Sequence, residues 1–299
     1  MVPDQARNRP IGIFDSGLGG LTVLRALHRR LPCEDLVYFG DTARVPYGTK
    51  GARTVVDFAR QDAGLLITLG VKMVVVACNT ASAFALDHLR ERLPVPVLGV
   101  IEPGVETALR ATGGGPVGVI GTPGTIGSGR YQEGLVRGVD GLAGIEAERI
   151  VTGECPLLVP LVEAGWEDHP ATDLVLDTYL EPLGTAGVDT LILGCTHYPL
   201  LKSQIAAHMG PDVALVDSAE ALAGAAEQLL TGLGLRRRDG LTGKTPPDGR
   251  LEFHLSDIPW KFAEIGARFL GKPITDVQTV SLEEMEAAGH LPPKGKDLD

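Results

Sequence analysis

The sequence predicts an α/β protein. It reads as two similar lobes, each a mainly parallel sheet flanked by helices, related by pseudo-two-fold symmetry with a cleft between them. Three observations carry this expectation. Short apolar runs rich in β-branched residues alternate with stretches of helical periodicity, which is the rhythm of parallel architecture. Strand ends run into turns rich in glycine or in N-cap residues, such as "FDSGLGG" (14–20) and "CNTASA" (78–83). One unit also occurs twice. "GVKMVVVACNTASAFALDHL" (70–89) is paralleled nearly position for position by "GVDTLILGCTHYPLLKSQI" (187–205).

In chain order, "IGIF" (11–14) is a strand and "GGLTVLRALHRRL" (19–31) a helix. "DLVYFG" (35–40) is the next strand, and "GARTVVDFARQDAGLLITLG" (51–70) is a helix closed by Gly70. "VKMVVVA" (71–77) has the β-branched run of a strand buried on both faces. "TASAFALDHLRERL" (80–93) follows as a helix, with Asn79, Thr80 and Ser82 as N-cap types. "VPVLGVI" (95–101) is again a strand. The pattern then restarts: "GPVGVIGTPGTIGSGRY" (115–131) has the form of the first strand, Gly-rich turn and helix. After the second copy of the repeated unit, "DVALVDSAEALAGAAEQLL" (212–230) is a strand and a helix capped by Asp217 or Ser218. A Gly/Pro-rich loop (231–250) leads to a strand (251–255), a helix (258–271) and a short strand near 276–281. The leader "MVPDQARNRP" is expected to fray and the tail 290–299 to be disordered. The lobes are expected to comprise residues 1–102 with 213–299, and residues 103–212.

Composition narrows the function. The 299 residues are 44% hydrophobic and 22% charged, ordinary for a soluble globular protein. No apolar run reaches the roughly 20 residues that span a bilayer, and the leader has no apolar signal region. A cytoplasmic protein with reduced thiols and no membrane partner is expected. The net charge of −11 argues against nucleic acid. The basic run "LRRRDG" (235–240) reads as a solvated loop. A small anionic substrate remains compatible, because a local site can be positive on an acidic protein.

Of the four cysteines, Cys33 and Cys155 read as small buried fillers. Cys78 and Cys195 do not, because each occupies the same place in the repeated unit, 117 residues apart. Each is expected to end a strand at a helix N-terminus, where the helix dipole and free N–H groups favour negative charge. Two thiols flanking one cleft from opposite lobes suit inversion of a carbon centre. One removes a proton from Cα while the other supplies a proton to the opposite face. Asp15 and Ser16 follow the first strand, and His197 lies two residues after Cys195. N–H groups near Asn79, Thr80 and Thr196 could grip carboxylates and stabilise charge that develops on deprotonation. A zinc site from Cys195, His197 and Cys78 lacks the usual ligand spacing, so no metal is expected.

Taken together, "IGIFDSGLGGLTVLR", "YFGDTARVPYGTK", "VVACNTASA", "GVIEPG", "LVPLVEAG" and "LILGCTHYPLL" resemble the bacterial glutamate racemases of the aspartate/glutamate racemase superfamily. The resemblance implies cofactor-independent racemisation of glutamate for peptidoglycan synthesis and cell shape, in a cytoplasmic homodimer. It implies that Cys78 serves D-glutamate and Cys195 serves L-glutamate. Asp15, His197 and Glu163 become assisting groups. Ser16, Tyr47, Gly48, Asn79, Thr80 and Thr196 become substrate contacts, with Asp15 and His197 touching substrate as well. Tyr47 and Glu163 rest on the resemblance alone. The alternatives are a racemase of a related amino acid such as aspartate, or a two-lobed small-molecule binding protein.

Overall fold

The computed structural model describes residues 3–139, 141–237 and 248–290. The chain opens with α1 (Asp4–Asn8), β1 (Ile11–Asp15), α2 (Leu21–Arg30), β2 (Leu36–Gly40) and α3 (Ala52–Thr68). It continues through β3 (Met73–Val76), α4 (Asn79–Arg92), β4 (Val97–Gly99) and α5 (Ile101–Ala111). Next come β5 (Val117–Gly121), α6 (Pro123–Gly127), α7 (Arg130–Arg137), β6 (Ile150–Glu154), α8 (Leu158–Glu163) and α9 (Pro170–Thr185). Then follow β7 (Thr190–Gly194), α10 (Lys202–Met209), β8 (Ala214–Asp217) and α11 (Ser218–Gly232). The last elements are β9 (Leu251–Leu255), α12 (Phe262–Leu270), β10 (Val277–Thr279) and α13 (Leu282–Ala288).

Six strands form one sheet in the order β10-β9-β2-β1-β3-β4, and four form another in the order β6-β5-β7-β8. All their pairings are parallel. Without β9 and β10, the two orders coincide: β1 answers to β5, β2 to β6, β3 to β7 and β4 to β8. The repeated unit in the sequence is thus a repeat of topology, and Cys78 and Cys195 follow equivalent strands. The apolar run of β3 is explained by its place. It is bonded to β1 and β4 and buried at every residue, so no polar face alternates with the apolar one. One apolar cluster joins Ile11 and Leu21 of the first sheet's layer to Val119 and Leu193 of the second. Helix α11 packs on both α2 and α5, so the two halves are tied by more than their linkers.

Four expectations need correction. The leader is not frayed over its described length: α1 forms, Arg7 is buried, and its Nε donates to the Gly234 carbonyl at 2.9 Å. The return to the first half does not come at residue 213, because β8 pairs with β7 and carries the second sheet to Asp217. The basic run is not simply solvated. Arg236 pairs with Glu227 at 3.1 Å and Arg237 with Asp35 at 2.9 Å, while residues 238–240 lie outside the described residues. The loop expected at 231–250 begins inside α11, and its residues 238–247, like 291–299 of the tail, lie outside the described residues.

Candidate active site

Among the four strands common to the two sheets, the order reverses direction once, between β1 and β3 and between β5 and β7. Crevices open at the carboxyl ends of strands at such points. Just past the ends of these strands lie Ser16, Cys78, Thr122 and Cys195. The two crevices share a cavity of about 380 Å³. The first sheet's side supplies Ser16, Gly17, Tyr47, Gly48, Cys78, Asn79 and Thr80 to its wall. The second supplies Thr122, Pro123, Pro156, Val159, Glu163, Cys195, Thr196 and His197. No lysine or arginine lines it among the described residues. Each of the two thiols is 6% exposed.

Cys78 is itself the N-cap of α4, and its sulfur accepts the Ala81 N–H at 3.4 Å. Burial first, and the charge of Asp15 second, push this thiol up to about 12. It is therefore protonated near neutral pH. Asp15 is fully buried and is not among the residues that line the cavity. Its Oδ2 accepts the Gly17 N–H at 3.0 Å, while Oδ1 has no hydrogen-bond partner among the described residues. Burial raises this carboxyl, and the charge of His197 opposes the rise.

The other thiol is placed differently. A 3-10 turn, Tyr198–Leu201, follows β7 before α10 begins, so the expected α-helix N-terminus at Cys195 is absent. A side-chain chain replaces it. Cys195 Sγ lies 3.9 Å from His197 Nδ1, and His197 Nε2 lies 2.9 Å from Glu163 Oε1. Burial opposes charge on His197, but the hydrogen bonds to Cys195 and Glu163 prevail and hold it up to about 10. The imidazolium can thus face a sulfur and a carboxylate at once. Phe269 meets its ring edge-on, with centroids 5.1 Å apart. The β1–α2 turn backs the same loop. Thr22 Oγ1 lies 2.8 Å from the Gly19 carbonyl and 3.0 Å from that of Thr196. Gly19 must lack a side chain, since a Cβ there would lie 2.2 Å from Thr196 Oγ1.

Donors converge on the cavity beside the thiols. Tyr131 donates to Asn79 Oδ1 at 2.7 Å, which fixes the amide, and Asn79 Nδ2 is left buried without a partner among the described residues. Thr80, Thr122 and Thr125 form a closed ring of hydroxyls 2.9–3.1 Å apart that spans both sheets. Tyr47 lines the cavity, but its hydroxyl is turned away to Asp41 and Asp62. One O–H can donate to only one of them. Burial and the charge of Asp41 push the Asp62 carboxyl well above the usual carboxylate range, which favours its protonated form. Arg44 binds both acids, at 2.7 and 3.0 Å.

The structure thus gathers Cys78, Cys195, His197, Glu163, Ser16, Tyr47, Gly48, Asn79, Thr80 and Thr196 around one cavity, with Asp15 behind it. It adds Thr122, Thr125, Tyr131, Thr22 and Phe269. Only Thr122 carried a readable signal, a Thr-Pro pair at a strand end, which is an N-cap followed by proline at the first helical position. Among the described residues, no group of three or more His, Cys, Asp or Glu side chains is arranged to hold a metal ion. None of their helices is long and apolar enough to cross a membrane.

A profile of Asp/Glu/Hydantoin racemases matches residues 11–226. A glutamate racemase of Geobacter metallireducens is 50% identical over 92% of this chain and 97% of its own. A crystal structure of glutamate racemase from Thermus thermophilus in complex with β-chloro-D-alanine superposes with a TM-score of 0.80 at 44% identity, covering 93% of this chain and 99% of that one. One from Francisella tularensis in complex with D-glutamate gives 0.81 at 37% identity, over 93% and 99%. The chain belongs to the Asp/Glu/Hydantoin racemase family and, within it, groups with the glutamate racemases.

Proposed function

We propose that the protein interconverts L- and D-glutamate without a cofactor, using Cys78 and Cys195 as acid and base on opposite faces of Cα. The observation that carries this reading is the pair of buried thiols at equivalent strand ends, lining one cavity from opposite sheets. Glutamate is taken as the substrate because the Geobacter relative is a glutamate racemase and the Francisella one was crystallised with D-glutamate. A binding protein would have no use for a second buried thiol.

In the forward step a thiolate takes the Cα proton and the opposite thiol delivers its own. The C–H bond broken on one face is remade on the other, and the two sulfurs exchange protonation states. Cys195 has His197 and Glu163 as its proton relay, and Cys78 has Asp15 behind it. Burial pushes the Cys78 thiol up, and the positive charge of the substrate ammonium would oppose that by favouring the thiolate. Asn79 Nδ2, the hydroxyls of Thr80 and Thr196 and the N-terminus of α4 would hold the substrate carboxylate as charge builds on it. The wall groups are neutral donors apart from His197 and Glu163, so the substrate anion would be held by dipoles and one imidazolium.

The same proposal includes two lobes divided near residue 102 and again after β8, a cytoplasmic homodimer, and supply of D-glutamate to peptidoglycan synthesis. Incubation with L-glutamate in D₂O, with no cofactor added, tests the activity. Loss of optical rotation together with loss of the α-proton signal is expected. Stable rotation with L-glutamate but decay with L-aspartate would assign the site to the other amino acid.

A further inference from the structure

We propose that Arg268 is a positioning residue for the Cys195 half of the reaction, fixing the end of α8 so that Glu163 holds His197. The proposal rests on the two-thiol reading above. Arg268 lies on α12, which packs against α2, whereas Glu163 ends α8 in the other half of the molecule. Its Nη2 donates to the carbonyls of Val162 and Glu163 at 2.9 and 3.0 Å. Its Nη1 donates to both oxygens of Glu167 at 2.8 and 3.1 Å. A planar guanidinium sets the direction of all four contacts at once, which an ammonium cannot do. It also places positive charge on the carbonyls that end the helix. The next residue, Phe269, meets the His197 ring. Two successive residues of α12 therefore bear on the His197–Glu163 pair from two sides. Arg268 is not part of the cavity wall, so its effect must pass through Glu163.

The pair needs such a brace. The Glu163 side chain is 44% exposed, and among the described residues its one side-chain bond is to His197. Freed from the clamp, the carboxylate can turn to water. His197 is faced by Glu163 from α8, Cys195 from its own loop and Asp15 from β1. Loss of the Glu163 contact removes one of the two partners that raise it.

The test uses β-chloroalanine in both configurations. A thiolate takes the Cα proton and chloride leaves. The remaining enamine is hydrolysed to pyruvate and ammonium, with no oxidant or reductant needed. On the reading above, Cys195 deprotonates the L form and Cys78 the D form. Arg268→Ala and Arg268→Lys are expected to slow elimination from the L form about 10- to 100-fold, the cost of a misplaced catalytic group, and to leave the D form within about twofold. His197, followed by imidazole NMR, should titrate at lower pH. In a His197→Asn background, Arg268→Ala should cost nothing further on the L form, because both changes break one chain. Glu167→Gln, which keeps the carbonyl contacts, should give a smaller loss of the same L-selective kind and serves if Arg268→Ala does not fold. Equal slowing of both configurations, or an undiminished loss in the His197→Asn background, would overturn the assignment. A wild-type enzyme inert to both analogues would defeat the two-thiol reading instead. Arg268 would then stand or fall on whether His197 still shifts.

Discussion

Gly19→Ala puts the geometry of the site under the most direct strain. The added Cβ would lie 2.2 Å from Thr196 Oγ1 and 2.5 Å from His197 Nδ1, where ordinary contact begins at 3.4 Å. The neighbours must retreat by about 1 Å. The imidazole cannot swing alone, since Glu163 holds Nε2 and Phe269 meets the ring. The loop must then move as a unit, and the 3.9 Å approach of Nδ1 to Cys195, already long, is lost. A displacement of about 1 Å at a catalytic group costs about 100-fold in rate, and overpacking costs about 1–3 kcal/mol in stability. Racemisation followed by circular dichroism gives kcat, and thermal unfolding gives the stability change. Gly184→Ala is the control, because it lies exposed in α9 with nothing within 4 Å of an added Cβ. It should leave kcat alone and stabilise by about 0.4–1 kcal/mol. A Gly19→Ala enzyme with wild-type kcat would refute the claim that this turn sets the Cys195–His197 contact.

Asp15→Asn and His197→Asn should each lower the rate by about 10²–10⁴-fold, the usual worth of a placed acid or base. Urea melts decide whether the loss is one of folding: normal activity per folded molecule would make both groups structural. The partners hold His197 up to about 10 in the folded protein, against 6.5 for an ordinary imidazole in the unfolded chain. Its folded value is the higher one, so its stabilisation is complete below 6.5 and is lost as pH rises through 10. The stability gap between wild type and His197→Asn should therefore narrow from pH 6 to pH 10, and a gap that widens would contradict this. Dialysis against a chelator, followed by a carbonyl reagent, should leave racemisation intact. Activity that collapses and returns only with added metal or pyridoxal phosphate would remove the two-thiol mechanism.

What the sequence disclosed depended on how local the cause was. β3 and Cys78 were legible because a β-branched run and an N-cap cluster act within a dozen residues. The repeat then transferred that reading to Cys195, but too literally. Pro199 and its neighbours form a 3-10 turn after β7, and His197 with Glu163 takes the place of the helix end. The partnerships of Glu163, Arg268 and Tyr131 join residues 34 to 106 positions apart. No periodicity reports such contacts. Asp15 was found correctly at a strand end, yet its complete burial depends on packing from other segments. β8 was assigned to the wrong sheet because its sequence fixes a strand and not a partner. Helix α13 has a local signal as well, since Ser281 and Glu284 spell out a capping box.

The central claim is that each thiol serves one face of Cα. Single replacements settle it, because elimination of chloride from β-chloroalanine needs one deprotonation where racemisation needs two proton transfers. Cys78→Ser and Cys195→Ser should both abolish racemisation, a serine hydroxyl being a far poorer base at neutral pH. Cys195→Ser should still release chloride from the D analogue only, and Cys78→Ser from the L analogue only, while the wild type processes both. Folded variants that keep or lose both eliminations together, regardless of configuration, would contradict the division of labour between Cys78 and Cys195.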